Sequence, residues 1–383
     1  MKAASSVRDF RAVSERRLPR MVMDFLEGGA LDEVTLRANV DDLAALRLQQ
    51  RVLRDVSSVD VGMTVFDRTL RTPVAIAPMG LLSLFRPDAD VCLARAAHDA
   101  GTVFVHSAWS GAPLADVAAA APGSVWSQMT FWPDDRLVDL HLERAQSAGI
   151  DVLVIAADVS VSSKRDRDLR NGFTMEARPT MRSVLNAARK PRWVTRFLTG
   201  TKITFGDQAI DGKPMNLKQM HEFMEHENAS ATWRDVERIR ARWPGRIVVK
   251  GIMSPDDARA AIDAGVDGVY VSNHGGRQFD AQPSTASALP AIAEAVAGRV
   301  PVLVDGGIRR GSDVVKMTAL GADLCLVGRP VVYGLVDSGT AGAARVLDIL
   351  RDETSVALAF AGSSRLQGID DSVLVTDGRP AAQ

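Results

Sequence analysis

The sequence predicts a single (β/α)8 TIM barrel on three observations: a repeated helix-to-strand junction, eight apolar runs each followed by a helical pattern, and polar residues where those runs end. The junction is an alanine-rich helical segment that stops at glycine, with a short apolar run directly behind it. Ala100-Gly101 precedes Thr102 to Ser107, and Ala148-Gly149 precedes Ile150 to Asp158. Ala264-Gly265 precedes Val266 to Asn273, and Leu320-Gly321 precedes Ala322 to Arg329. Glycine takes the left-handed conformation that closes a helix, and the β-branched run behind it reads as a strand buried on both faces. Ser254-Pro255 marks a helix start, an N-cap hydroxyl followed by proline at the first helical position.

Taken in order, the strands begin near Pro73, Thr102, Ser124, Asp151, Arg246, Asp267, Pro301 and Asp323. Alternating strands and helices imply a parallel sheet, and eight such units imply a closed barrel. A doubly wound open sheet competes, but no G-x-G-x-x-G fingerprint follows an early strand. Residues 1–370 read as one domain, in which 1–72 form a helical N-terminal extension covering the barrel floor or a neighbouring loop. Residues 371–383 read as a disordered tail. About seventy residues separate the fourth strand from the helix near Thr232, far beyond the usual loop of ~2–6. This long loop, 159–231, is expected to be a lid-like insertion or a subunit contact. Its first half carries Arg178, Arg182, Arg189, Lys190, Arg192, Arg196 and Lys202 among Met, Trp, Val and Phe, so contact with an anionic membrane surface is the second reading.

The bulk numbers restrict the function. The 383 residues carry a formal net charge of −1, which gives no electrostatic reason to expect nucleic acid as a partner. Two cysteines, Cys92 and Cys325, are too few for a disulfide framework or a cysteine-based zinc site, and both fall in apolar periodic segments. Met1 to Pro19 is charged and lacks an apolar signal core, and no apolar stretch reaches the ~18 residues of a membrane span. The expectation is a cytoplasmic protein.

Active sites of such barrels lie at the C-terminal ends of the strands. Those ends carry Pro78-Met79-Gly80, Ser107, Gln128, Asp158, Lys250, Ser272-Asn273-His274, Asp305-Gly306-Gly307 and Gly328-Arg329. The last two exits read as a phosphate site. Asp305-Gly306-Gly307-Ile308-Arg309-Arg310-Gly311 opens a helix, glycines expose backbone N–H groups, and Arg309 and Arg329 add bidentate charge. At the sixth exit, His274 is followed by two glycines and Arg277, which suits close approach of a substrate. The other histidines do not compete: His98 and His141 lie in helical segments, and His106 reads as packed or barrel-facing. His221 and His226 are five apart, so a helix would point them differently, and no H-E-x-x-H motif is present; no metal is expected.

The stretch Ser272 to Asp280, with Val249-Lys250-Gly251, the Asp305 to Gly311 loop and Glu27-Gly28-Gly29-Ala30, resembles the FMN-dependent 2-hydroxy-acid dehydrogenase and oxidase family. That family includes glycolate oxidase, flavin-type lactate dehydrogenase and mandelate dehydrogenase. The resemblance runs from about Leu18-Pro19 through Arg351 and leaves out only the long insertion and the tail. It implies an FMN flavoprotein that oxidises a small-molecule carboxylate, passes electrons to oxygen, a quinone or a protein, and assembles as a homotetramer. By resemblance, His274 is the base, Asp158 the partner of the resulting imidazolium, and Arg165 and Arg277 the clamp on the substrate carboxylate. Lys250 would stand by the N1–O2 edge of the flavin. Pro78, Met79, Gly80, Ser107, Gln128 and Ser272 would contact the flavin ring, Asp305 the ribityl chain, and Gly307, Arg309, Gly328 and Arg329 the phosphate.

The chain also departs from the family. Phe25 and Thr130 stand where members usually carry substrate-contacting tyrosines, and Ala156 where a threonine is common. Lost phenols point to a substrate larger or more apolar than glycolate or lactate. They also leave open the oxidation of an amine or modified amino acid by the same barrel, and a flavin-binding protein without catalysis is a third reading.

Overall fold

In the computed structural model, residues 4–132, 134–172, 181–200, 204–210, 213–216 and 228–375 are described. Eight parallel strands close into a barrel: β3 (Val74–Ile76), β4 (Phe104–His106), β5 (Val125–Thr130), β6 (Val152–Ala156), β9 (Arg246–Ile252), β10 (Gly268–Val271), β11 (Val302–Val304) and β12 (Leu324–Val327). All eight expected strands are present, and the ring closes in chain order through the pairing of β12 with β3. The glycines at the four repeated junctions, Gly101, Gly149, Gly265 and Gly321, all have positive φ. Ser254 caps its helix as expected, its Oγ accepting from Asp257 N–H at 3.1 Å with Pro255 in the first turn.

The strands read as continuous apolar runs because both faces are buried. Val103, Val105, Trp126, Val152, Val154, Val248, Tyr270 and Leu303 fill the barrel interior. The alternate residues, among them Phe104, Leu153, Ile155, Val249 and Val304, pack against the helix layer, which includes α4 (Ala89–Ala100), α5 (Leu114–Ala120) and α6 (Asp135–Ser147). Packing of this kind fixes where each strand ends and therefore where its exit side chain stands.

The N-terminal extension serves both ends of the barrel and is not wholly helical. Of the helices α1 (Val7–Arg17), α2 (Arg20–Glu27) and α3 (Val34–Ala45), α2 reaches the mouth, where Phe25 and Leu26 line its wall. An antiparallel hairpin, β1 (Met63–Val65) with β2 (Arg68–Leu70), closes the floor, where its turn residue Phe66 meets Trp126 and Gly268. Packed chain also continues past residue 370: Asp371–Val373 form a 3-10 turn, Val373 is buried, and Leu374 bridges to Leu48.

Within the long insertion, α7 (Asp166–Arg170), α8 (Met181–Ala188), α9 (Pro191–Thr199) and the strands β7 (Thr204–Ile210) and β8 (Lys213–Asn216) are described. Trp193 Nε1 donates to Leu84 O at 2.9 Å, Lys190 Nζ to Arg16 O at 2.6 Å, and Arg20 N–H to Asn186 Oδ1 at 2.7 Å. These bonds dock α8 and α9 beside the mouth. Arg178, Lys202, His221 and His226 lie outside the described residues.

Candidate active site

At the mouth lies a cavity of about 380 Å³. Most of the residues predicted from the strand exits line it: Pro78, Met79 and Gly80 after β3, Ser107 after β4, Gln128 and Thr130 on β5, Lys250 on β9. His274, Arg277, Asp305, Gly307, Arg309, Gly328 and Arg329 complete one side, and Arg165 and Phe25 come in from the insertion and from α2. Two predicted residues stand behind the wall. Asp158 is paired with His274, and Ser272 is fully buried, donating to Asp305 Oδ1 at 2.8 Å and accepting from His274 N–H at 3.1 Å.

The backbone holds His274 in an unusual way. Its φ is +56°, and Gly275 and Gly276 follow at +63° and +74°. A left-handed residue with a side chain is strained and persists only where its surroundings enforce it. Here the Ser272 hydroxyl takes the histidine N–H, and the ring turns its Nδ1 to Asp158 Oδ2 at 3.1 Å. Lys250 Nζ, which only donates, stands 3.3 Å from the same Nδ1, but the carboxylate, which only accepts, is closer and favours the hydrogen on Nδ1 with the lone pair on Nε2. Lys250 Nζ stands 3.6 Å from the same carboxylate oxygen, and its side chain is almost wholly buried. Gly251 makes this possible: a Cβ there would come within 2.6 Å of the Asp158 Cβ.

The three groups tune one another. Burial alone would raise the Asp158 pKa, but the charges of Lys250 and His274 prevail and hold it at about 2. Burial and the Lys250 charge push the His274 pKa down, against the pull of Asp158, so the imidazole is neutral at pH 7. A neutral imidazole beside an ionised carboxylate has the chemistry that a general base requires.

Opposite the base, two guanidinium groups bracket one aromatic ring. Arg165 lies 5.5 Å and Arg277 4.9 Å from the Phe25 centroid, and the ring stacks on Phe85 at 6.3 Å. Arg277 Nη1 donates to the carbonyls of Phe25 and Gly28 at 2.7 and 2.8 Å, at the C-terminal end of α2 where the helix dipole favours a cation. Arg329 donates to Leu26 O, Gly275 O and Gly28 O, so the expected phosphate ligand also ties the extension to the barrel. Two of its five N–H hydrogens remain for a ligand.

The residues present fit FMN. Among the described residues neither Arg309 nor Arg329 forms an ion pair, and both line the cavity beside the glycines of the last two exits, which suits a phosphate. Asp305, held by Tyr270 Oη at 2.9 Å and by Ser272, offers acceptors for ribityl hydroxyls. Ser107, whose Oγ donates to Gln128 Oε1 at 2.9 Å, gives a polar edge to an otherwise apolar wall.

Sequence reasoning passed over Trp109, Phe85 and Val159, which supply apolar wall, and Asn39, whose paired amides fasten Asn273 at 2.8 and 2.9 Å. Trp109 lies two residues beyond a strand exit and was within reach of that argument. Phe85 and Asn39 belong to a 3-10 turn and a distant helix, for which no spacing rule applies. Two of the excluded histidines are structural: His106 bonds to Ala112 O at 3.0 Å, and His141 packs on Trp132 with its pKa pushed down to about 3 by burial.

A mouth with glycine-flanked arginines, an imidazole paired with a carboxylate, and two further cations suits an oxidoreductase of the flavin type. Comparison with known proteins agrees. The family model described as FMN-dependent dehydrogenase matches residues 14–376. A protein named L-lactate dehydrogenase from Stenotrophomonas maltophilia is 41% identical over 375 residues, 97% of this chain and 99% of that protein. Another so named, from Pseudomonas aeruginosa, is 40% identical over 97% of this chain and 98% of its own. A solved structure described as the monotopic membrane protein (S)-mandelate dehydrogenase superposes with a TM-score of 0.92 at 34% identity, covering 98% of this chain and 100% of that one. A soluble mutant of the membrane-associated enzyme from Pseudomonas putida gives a TM-score of 0.84 at 33% identity, covering 97% and 99%. The chain belongs to the FMN-dependent 2-hydroxy-acid dehydrogenase and oxidase family. It is an FMN-dependent enzyme that oxidises 2-hydroxy acids.

Proposed function

We propose that the substrate is a 2-hydroxy acid with a side chain larger or more apolar than those of glycolate and lactate, oxidised to its 2-oxo acid with His274 as base. The observation that carries this is the cavity wall: Phe25 without a hydroxyl, stacked on Phe85, and Thr130 and Ala156 lining the same cavity with small side chains. Arg165 and Arg277 bind the substrate carboxylate and thereby fix the 2-carbon relative to the base. Orientation of this kind contributes up to ~7–11 kcal/mol in well-aligned systems. Nε2 of His274 takes the proton, and Asp158 stabilises the imidazolium that forms. Lys250, buried at the cavity wall, would place a positive charge where it could stabilise the reduced flavin. FMN, when bound, would accept the two electrons together with the second of the two protons that the substrate loses.

The relatives named L-lactate dehydrogenase favour lactate as the competing substrate. Anaerobic stopped-flow reduction of the bound flavin by lactate, 2-hydroxyoctanoate and mandelate separates the two. The bulky acids should reduce it fastest, and faster reduction by lactate than by every bulky acid overturns the proposal.

A second proposal concerns location and assembly. No described helix is long and apolar enough to cross a membrane. Helices α8 and α9 nevertheless expose Met181, Val184, Leu185 and Leu198 beside Arg189, Lys190, Arg192 and Arg196. Apolar residues next to basic ones suit an anionic lipid surface, as would befit a lid-like insertion in a peripheral membrane enzyme. Flotation with phosphatidylglycerol vesicles, and its loss in Leu185→Glu/Leu198→Glu, tests this. The homotetramer implied by the family is tested by light scattering of the holoenzyme.

A further inference from the structure

Behind the two arginines lies a carboxylate that the reaction described above does not use. Asp168 is in the first turn of α7, three residues after Arg165, and is only 4% exposed. Neither of its side-chain oxygens has a hydrogen-bond partner among the described residues, although Arg165 Nε forms an ion pair with Oδ2 at 3.4 Å. Oδ1 faces Gly28, where a Cβ would stand 3.6 Å away, at the same α2 terminus whose carbonyls hold Arg277. Asp168 therefore sits where α2, α7 and both guanidinium groups converge.

A buried carboxylate without hydrogen bonds is unfavourable unless nearby positive charge compensates it. Burial pushes the Asp168 pKa up, with Arg165 and Arg277 opposing. The arginines in turn need a counter-charge. Burial and the Arg165 charge both lower the pKa of Arg277, the mark of two cations forced together. Geometry adds a direction to this balance. Contact through Nε leaves the two terminal nitrogens of Arg165 without a hydrogen bond among the described residues, and Arg165 lines the cavity while Asp168 does not.

We propose that Asp168 is a positioning residue that holds Arg165 by its Nε edge, so that the terminal nitrogens present a two-pronged donor to the substrate carboxylate. The inference rests on the reading of Arg165 and Arg277 as a carboxylate clamp. Asp168 acts through Arg165 and does not touch substrate. Its effect therefore falls on carboxylate affinity and not on the proton transfer at His274.

The test uses the FMN-loaded enzyme and oxalate as a non-reacting carboxylate, with binding read from the shift in flavin absorbance. In Asp168→Asn the oxalate Kd and the KM for the preferred hydroxy acid should each rise about tenfold, while kcat stays within about threefold. Arg165→Met should weaken oxalate binding by itself, and adding Asp168→Asn to it should change little further. Oxalate affinity unchanged in Asp168→Asn but weakened in Arg165→Met overturns the role of Asp168 and leaves the clamp standing. Additive losses in the double variant also overturn it, since the two residues then act separately. Oxalate binding unaffected by Arg165→Met sinks the clamp and this proposal with it. Should Asp168→Asn alone fail to take up FMN, recovery of flavin content in the double variant supports charge balance, and equal failure overturns it.

Discussion

The two ends of this barrel share eight strands and are held by opposite kinds of interaction. At the floor, Phe66 sits on Trp126 at 5.7 Å and packs against Gly268. At the mouth, Lys250, Asp158, His274, Arg165, Arg277 and Asp168 form a cluster of charged and titratable groups in which like charges press on one another. Burial favours the floor and opposes the mouth, because apolar area gains free energy on leaving water and charge loses it. The stability of the molecule therefore resides in the interior and in the helix layer. The mouth is a region where charge is retained at a cost because the chemistry requires it.

That contrast can be broken at several points. His274→Ala should lower the rate of flavin reduction by substrate about 10²–10⁴-fold, as loss of a general base does, while FMN content stays normal; anaerobic single-turnover absorbance measures both. Asp158→Asn should cost about a hundredfold in the same assay, since the imidazolium loses its charged partner.

The pH profile sharpens the assignment. His274 has its pKa lowered by burial and Lys250, so the neutral base persists below the usual 6.5 and the acid limb of kcat/KM should fall under that value. Asp158 raises the His274 pKa, so in Asp158→Asn the residual activity should have its limb displaced further toward acid. A limb moving toward alkaline pH would contradict the pairing. The smallest catalytic effect belongs to the floor. Phe66→Ala should remove about 1.5–3 kcal/mol of stability, seen in the denaturation midpoint, and leave the reduction rate per bound flavin unchanged.

Much of the floor-to-mouth axis was legible in sequence, because the barrel repeats one local rule. A helix closed by glycine, an apolar strand and a polar exit can each be read within a few residues, and the exits placed His274, Lys250, Asp305 and Arg329 around one cavity. Ser272 illustrates the limit. Its place at an exit was visible, but its 0% exposure and its bonds to Asp305 and to the His274 backbone depend on the inward turn of the chain at that point. The extension was legible only as helical, since a three-residue strand such as Met63–Val65 carries too short an alternation to register.

The sequence by itself determined the barrel, its eight strands and the residues at their exits, because these follow from local periodicity and turn chemistry. Tertiary structure alone decided which distant groups meet: the α2 carbonyls with Arg277 and Arg329, Phe25 between two guanidinium groups, and Asp168 behind them. Apart from the Arg165–Asp168 pair, three residues apart, those contacts join segments separated by well over a hundred residues. Their partners are chosen by packing and by the need to balance buried charge, neither of which leaves a periodic trace in the chain.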